Sequence, residues 1–192
     1  MMTTSAAAFF SKSVMKWRSY CPDRVKYNFI MEFRHHYQSP LGGMTLTSDG
    51  TVLTGLRFDT PNEASIENSI DLPVFGQTVE WLDTYFSGKE PTFIPPITFH
   101  ATDFRQAVWE ILLTIPYGQT RTYGEIAKQI AAQRGVKRMS AQAVGGAVGH
   151  NAFVLIIPCH RVIGADGSLT GYGPGLDIKE KLLEMERTWS TK

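Results

Sequence analysis

The sequence predicts an α+β protein in two units: a small N-terminal antiparallel sheet of three strands with helices, then a mainly helical unit that carries a helix-turn-helix. Three observations predict it. Short strand-like runs broken by turn residues fill 32–58, with Asp49-Gly50 as a two-residue hairpin signal. Apolar residues at helical spacing begin at Phe75 and dominate the second half of the chain. A proline cluster, Pro91, Pro95 and Pro96, separates the two regimes and reads as a linker. We expect a tail over 1–30, a first unit over 31–98 and a second over 99–188.

In the first unit, 32–38 and 44–47 read as strands joined by a turn at Pro40-Leu41-Gly42-Gly43, and 52–58 as the third strand. The polar stretch from Pro61 to Pro73 reads as a loop, with room for a short helix. Phe75, Val79, Leu82 and Phe86 mark one face of a helix that Gly88 stops. His35 and His36 have no Cys or acidic cluster near them and read as strand residues, not metal ligands. On these grounds the first unit carries no chemistry.

In the second unit, Thr102 caps a helix through Phe104, Val108, Ile111, Leu112 and Ile115, before Pro116. Thr122-x-x-Glu125 is a capping box opening a helix with Ile126, Ala127 and Ile130 on one face. Ser140 caps a further helix of small residues, Ala141 to Val148. Two short helices across a tight turn suggest a helix-turn-helix. Gly145 and Gly146 each cost that helix about 1 kcal/mol relative to Ala. Tight helix packing or close approach of the backbone to a ligand would each explain them. A last helix is expected from Asp177 as N-cap, with Glu180 completing a capping box, through Ile178, Leu182, Leu183 and Met185. Glu186 on that helix is either partly buried or exposed beside Arg187.

Composition excludes several classes. Two cysteines, Cys21 and Cys159, form no disulfide framework and no clustered ligand set, so a reducing, intracellular setting is expected. No apolar run approaches the ~20 residues that span a bilayer. The formal net charge is +1; residues 1–99 hold 8 Lys+Arg against 10 Asp+Glu, and 100–192 hold 11 against 8, so the second half is better suited to phosphate. Residues 1–30 are basic and poor in acids, which overlaps with an organellar transit peptide. We read them instead as a tail ahead of a start at Met31.

Chemistry concentrates in one stretch. The apolar run Leu155-Ile156-Ile157, expected as a buried strand, stops at Pro158 and is followed by Cys159, His160 and Arg161. A thiol becomes a strong nucleophile as thiolate, and a neighbouring imidazole or cation lowers its pKa. Alone, Cys159 also fits an inert buried thiol. Adjacent side chains in an extended chain point apart, so His160 reaches the sulfur only if the chain turns after Pro158 or water links them.

Pro158-Cys159-His160-Arg161-Val162 resembles the acceptor motif of the O6-alkylguanine-DNA alkyltransferases. Four other stretches fit that family in order: 104–109, Thr122-Tyr123-Gly124, Ala143-Val144-Gly145-Gly146-Ala147, and Gly171-Tyr172-Gly173 through Glu186. The resemblance covers about 36–187. It implies a winged-helix-like second unit and a single-turnover transfer of an alkyl group from O6 of a flipped guanine to Cys159, with O4 of thymine as a second candidate. It implies that Glu186 holds His160, which takes the thiol proton through water, that Tyr123 donates a proton to the leaving guanine, and that Asn151 ties the helix-turn-helix to the site. Tyr172 and Gly173 match the loop over the flipped base, Lys179 a pocket lysine, and Val162 and Trp109 the pocket lining. Ser140, Ala141, Gln142, Ala143, Gly145 and Gly146 match the DNA-facing helix. The implied partner is alkylated double-stranded DNA met by a monomer, with no metal, no cofactor and no membrane, in the cytoplasm, or in a nucleus or organelle of a eukaryote.

Two departures stand out. Gln142 replaces the family's usual arginine, which fills the space left by the flipped base, and Ala152 follows Asn151 where proline is common. Gln142 keeps open a lesion-binding protein without transfer, although such proteins lack the acceptor cysteine. A methylation-responsive regulator would need further domains, and a thiol redox enzyme a second cysteine near Cys159.

Overall fold

The computed structural model of the chain describes residues 32–60, 71–98 and 100–190. The tail and start site at 1–31, Cys21, and most of the loop expected between Pro61 and Pro73 lie outside the described residues.

The first unit is an antiparallel sheet in the order β1 (Phe33–Ser39), β2 (Gly42–Ser48), β3 (Leu53–Phe58). Pro40 and Leu41 make the first turn, where Ser39 Oγ accepts the Leu41 amide at 3.1 Å and donates to the Gly42 carbonyl at 2.6 Å. Gly42 lies at φ 129°, a conformation that side chains resist. At the second turn Asp49 accepts the amides of Thr51 and Val52, the local bonding that makes Asp a turn residue. Met44, Leu46, Leu53 and Leu56 are fully buried beneath α1 (Pro73–Phe86), which contributes Phe75, Trp81, Leu82 and Tyr85 to the core.

The proline stretch is bound to the sheet. The Leu53 amide donates to the Pro96 carbonyl at 2.8 Å and the Thr98 amide to the Leu53 carbonyl at 3.0 Å. Proline serves there because an edge position asks only for its carbonyl. Further along β3, the Leu56 amide donates to the Ala152 carbonyl at 2.8 Å and its carbonyl accepts the Val154 amide at 3.0 Å. One strand of the first unit thus holds the segment that leads to Cys159.

In the second unit α2 (Asp103–Leu112) is capped by Thr102. It stops three residues before Ile115, where the amides of Thr114 and Ile115 close on carbonyls three residues back. Pro116 disfavours helical geometry in the residue before it. The short β4 (Arg121–Thr122) leads into α3 (Tyr123–Gln133), whose capping box is complete, and Ser140 caps α4 (Ala141–Gly149) through the amides of Gln142 and Ala143. Both helices pack on α2, and Val108, Ile111, Ile126, Ile130, Val144 and Val148 belong to one continuous core. The pair β4 and β5 (Val162–Ile163) is parallel, with Arg121 opposite Val162. The last helix, α5 (Leu176–Ser190), begins ahead of Asp177, which stands in its first turn instead of capping it. Among the described residues no helix is long and apolar enough to cross a membrane.

The run 153–157 is buried but is not the expected strand. Phe153 alone bridges to Leu56, Leu155 lies at φ 69°, and the Ile157 amide closes on the Phe153 carbonyl at 2.9 Å. An apolar run reports burial, and its length cannot separate a strand from a tightly turned buried segment.

Candidate active site

The acceptor stretch is two consecutive turns. Pro158 lies at φ −79° and ψ 63°, the geometry of an inverse γ-turn, and the Cys159 amide donates to the Ile157 carbonyl at 2.7 Å. Cys159–Arg161 then form one turn of 3₁₀ helix, closed by the Arg161 amide on the Pro158 carbonyl at 3.0 Å. With three residues per turn, successive side chains fan out by about 120°. The sulfur turns to Asn151, while His160 and Arg161 turn to Glu186.

Glu186 is fully buried and gathers five donors. Its Oε1 accepts from Tyr85 OH at 2.8 Å, His160 Nε2 at 2.8 Å and Arg161 NH2 at 2.9 Å; its Oε2 accepts from Arg161 Nε at 2.9 Å and the Gly118 amide at 3.0 Å. Burial alone would raise its pKa, but His160 and Arg161 outweigh that and hold the carboxyl well below the usual range. Arg161 also donates to the Ile115 carbonyl at 2.7 Å, so it fastens the turn.

This arrangement fixes the imidazole. An ionised carboxylate only accepts, so Nε2 carries the proton and Nδ1 keeps a lone pair. Burial, with Arg161 and Lys179, lowers the His160 pKa against the pull of Glu186, so the ring is neutral near pH 7. Nδ1 is buried and has no protein partner. The residue is therefore a base with its accepting atom unclaimed.

The thiol differs from the sequence expectation. Burial raises the Cys159 pKa, against the Asn151 hydrogen bond, the Lys179 charge and two backbone amides. Cys159 is 6% exposed, and desolvation outweighs the nearby donors. The resting group is a thiol whose proton must leave during reaction.

Asn151 Nδ2 stands 3.1 Å from Cys159 Sγ and donates to the Ile157 carbonyl at 2.8 Å. Lys179 is fully buried and donates to the carbonyls of Val162 at 2.6 Å and Thr170 at 2.9 Å. Tyr123 OH donates to the same Thr170 carbonyl at 3.2 Å. Burial raises the Tyr123 pKa, and proximity to Cys159 adds to it, so the phenol remains a donor. The Tyr172 ring meets His160 edge-on, centroids 6.5 Å apart, and its buried hydroxyl has no protein partner. Gly173 is exposed in the glycine loop, with open space where a Cβ would stand. Val162 is buried opposite Arg121.

On α4, Ser140, Ala141, Gln142, Ala143 and Gly146 are exposed. A Cβ on Gly146 would meet open space, and one on Gly145 only ordinary contact, 3.8 Å from the Tyr123 ring. Packing within the protein does not require either glycine. Trp109, expected at the pocket, is 3% exposed and donates its indole N–H to the Ala147 carbonyl at 2.9 Å, so it packs α4 onto α2. His36 pairs with Asp59 and His35 stacks on Phe75; among the described residues no group of His, Cys, Asp and Glu is arranged to hold a metal ion. Sequence reasoning missed Tyr85, Gly118 and Thr170. Tyr85 carried only the helical apolar spacing, and the other two act through their backbone.

Fold and site together define a cysteine-nucleophile protein built around a helix-turn-helix. The family model of the 6-O-methylguanine DNA methyltransferase DNA binding domain matches residues 103–188, and that of its ribonuclease-like domain residues 33–99. The chain is 47% identical over 158 residues to a methylated-DNA--protein-cysteine methyltransferase of Mycobacterium bovis, covering 80% of this chain and 93% of the relative. It is 40% identical to that of Methanosarcina acetivorans over 157 residues, 78% of this chain and 95% of the relative. The crystal structure of Mycobacterium tuberculosis O6-methylguanine methyltransferase superposes with a TM-score of 0.69 at 45% identity, covering 82% of this chain and 94% of that one. Mycobacterium tuberculosis OGT solved in complex with DNA gives a TM-score of 0.70 at 45% identity, with the same coverage. The chain belongs to the 6-O-methylguanine DNA methyltransferase family.

Proposed function

We propose that the protein repairs DNA directly by transferring an alkyl group, methyl foremost, from O6 of a flipped guanine to the sulfur of its own Cys159, once per molecule. The observation that carries this is the buried Cys159 thiol beside Asn151, on the same turn as a neutral His160 whose Nδ1 is unclaimed. The alkyl carbon is inaccessible in a stacked base, so the nucleotide is flipped at a cost of a few kcal/mol. The sulfur attacks that carbon; the S–C bond forms as the C–O6 bond breaks, and the bonding pair leaves on the guanine. The thiol proton passes to His160 Nδ1 through a water, and Glu186 stabilises the imidazolium. Tyr123 gives a proton to the guanine anion and is reprotonated from solvent, while His160 returns its proton there, so the balance closes. Lys179 adds positive charge beside the leaving group.

Tyr123 and Lys179 both donate to the Thr170 carbonyl, which brings the two groups assigned to the leaving guanine to one place. The product thioether offers neither a good leaving group nor a carbonyl for water, so the protein acts once. Alkylated duplex DNA is the partner. The exposed small-residue face of α4, which internal packing does not explain, supports backbone approach to it. The protein acts as a monomer and works wherever its DNA is: cytoplasm, or a eukaryotic nucleus or organelle.

Incubation with duplex DNA carrying O6-methylguanine, followed by intact-protein mass spectrometry, tests this. One added methyl is expected, and none in Cys159→Ser or Cys159→Ala. Lesion binding without any mass gain would overturn the proposal.

A further inference from the structure

We propose that Tyr85, supplied by the first unit, is a positioning residue for the transfer: its hydroxyl bonds the Glu186 oxygen that holds His160 and so sets how strongly His160 takes a proton. The inference rests on the function proposed above.

Tyr85 is 1% exposed and sits in the last turn of α1, in the unit whose sequence showed no chemistry. Its hydroxyl donates to Glu186 Oε1 at 2.8 Å and stands 3.5 Å from His160 Nε2. The ring is fixed on three sides: parallel to Trp81 at 5.6 Å, and edge-on to Phe86 at 5.2 Å and Tyr117 at 5.8 Å. Burial and the adjacent Glu186 raise its pKa well above the ordinary value, so the hydroxyl is a permanent donor.

The same Oε1 accepts His160 Nε2–H at 2.8 Å. Arg161 donates to it as well, at 2.9 Å, and donors on one oxygen compete, because each withdraws charge that the others use. With Tyr85 in place, Oε1 pulls less on the imidazole proton, and His160 remains neutral to lower pH. The other charged or titratable groups facing His160 are Glu186 and Lys179 of α5, Arg161 and Cys159 of its own turn, and Tyr172 of the glycine loop; Tyr117 faces Glu186 from the turn after α2. Among these, Tyr85 donates an uncharged hydrogen bond to the very oxygen that orients the imidazole, and it reaches it from the other unit.

The test is the pH profile of single-turnover methyl transfer from O6-methylguanine duplex, measured for the natural chain, for Tyr85→Phe, and for a chain with 3-fluorotyrosine at position 85. Phenylalanine removes the donor and keeps the ring; fluorine strengthens the donor. The acidic limb, where His160 protonates, is expected to rise by about half to one pH unit in Tyr85→Phe. It should fall with fluorotyrosine, so that the two substitutions move the limb in opposite directions. A structural role would lower the plateau and leave the limb in place. A limb that stays in place in both overturns the inference, whatever the rates. If Tyr85→Phe does not fold, the fluorotyrosine chain decides alone: a lowered limb supports the inference and an unmoved one overturns it. Absence of transfer in the natural chain would instead overturn the proposed function.

Discussion

The Asn151 amide nitrogen lies 3.1 Å from the Cys159 sulfur and 2.8 Å from the Ile157 carbonyl, while its oxygen accepts the Phe153 amide at 2.9 Å. Asn151 directly follows α4 and the cap residue His150, so one side chain links α4 to the nucleophile. Its amide also stabilises negative charge developing on sulfur. Asn151→Ala should slow transfer about tenfold or more, through loss of a hydrogen bond to a charged group, and destabilise the fold by about 2 kcal/mol through buried partners left unmade. Single-turnover rates and urea melts measure the two. Asn151→Asp should be slower still, because a carboxylate repels the thiolate and cannot donate to Ile157.

Stability should fall on the acid side in two stages. His160 is held neutral with a lowered pKa, so the unfolded chain binds the extra proton first, and its contribution is lost as pH falls from about 6.5 toward the folded value. Glu186 has a lowered pKa, so its contribution is complete above about 4.5 and is lost as pH falls below that toward the folded value. Urea midpoints across this range should show both stages. Glu186→Gln should erase the lower one and cost about 3–5 kcal/mol at neutral pH, because it strips the charge partner from a buried Arg161.

A thiol held protonated by burial should react slowly with small thiol reagents. Labelling of Cys159 by iodoacetamide is expected to keep rising with pH past about 8.5, the ordinary cysteine pKa. A plateau below neutrality would show a preformed thiolate and remove the need for His160 as base.

Gln142 stands exposed in the first turn of α4, its backbone amide bonded to Ser140 Oγ at 3.2 Å. Glutamine can hydrogen-bond an orphan base but lacks the reach and charge of arginine. Gln142→Arg should therefore raise the single-turnover rate on methylated duplex; an unchanged or lower rate contradicts this account of the position.

Much of this was legible in the sequence because the signals are local. The Thr122–Glu125 capping box and the Ser140 cap are set by residues a few positions apart, and both appear in the structure; Asp49-Gly50 does turn the chain, but within a four-residue loop, 49–52, and not as the expected two-residue hairpin. The Cys159-His160 turn was marked by Pro158, whose ring restricts φ and favours the observed bend. What escaped depends on distance along the chain. Tyr85 reads as one more apolar helix residue until Glu186, 101 positions later, is placed beside it. The burial of Glu186 was left open because its donors come from three segments distant in sequence: Tyr85, Gly118 and the turn of His160 and Arg161. The raised thiol pKa was missed because adjacency to His160 and Arg161 suggests a charge effect, whereas burial decides. The strand expected at 153–157 failed because the chain leaves β3 after Phe153 and turns back on itself through Leu155, and the binding of the proline stretch to the edge of β3 at Pro96 and Thr98 is likewise something that sequence spacing does not report.

The central claim is that each guanine restored consumes one Cys159. Titrating the protein with duplex carrying isotope-labelled O6-methylguanine, then mapping the label by peptide mass spectrometry and quantifying guanine in the DNA, tests it directly. The account predicts equimolar label on Cys159 and restored guanine, with no further repair once the protein is exhausted. Label on another residue, or more guanine restored than protein present, would contradict it.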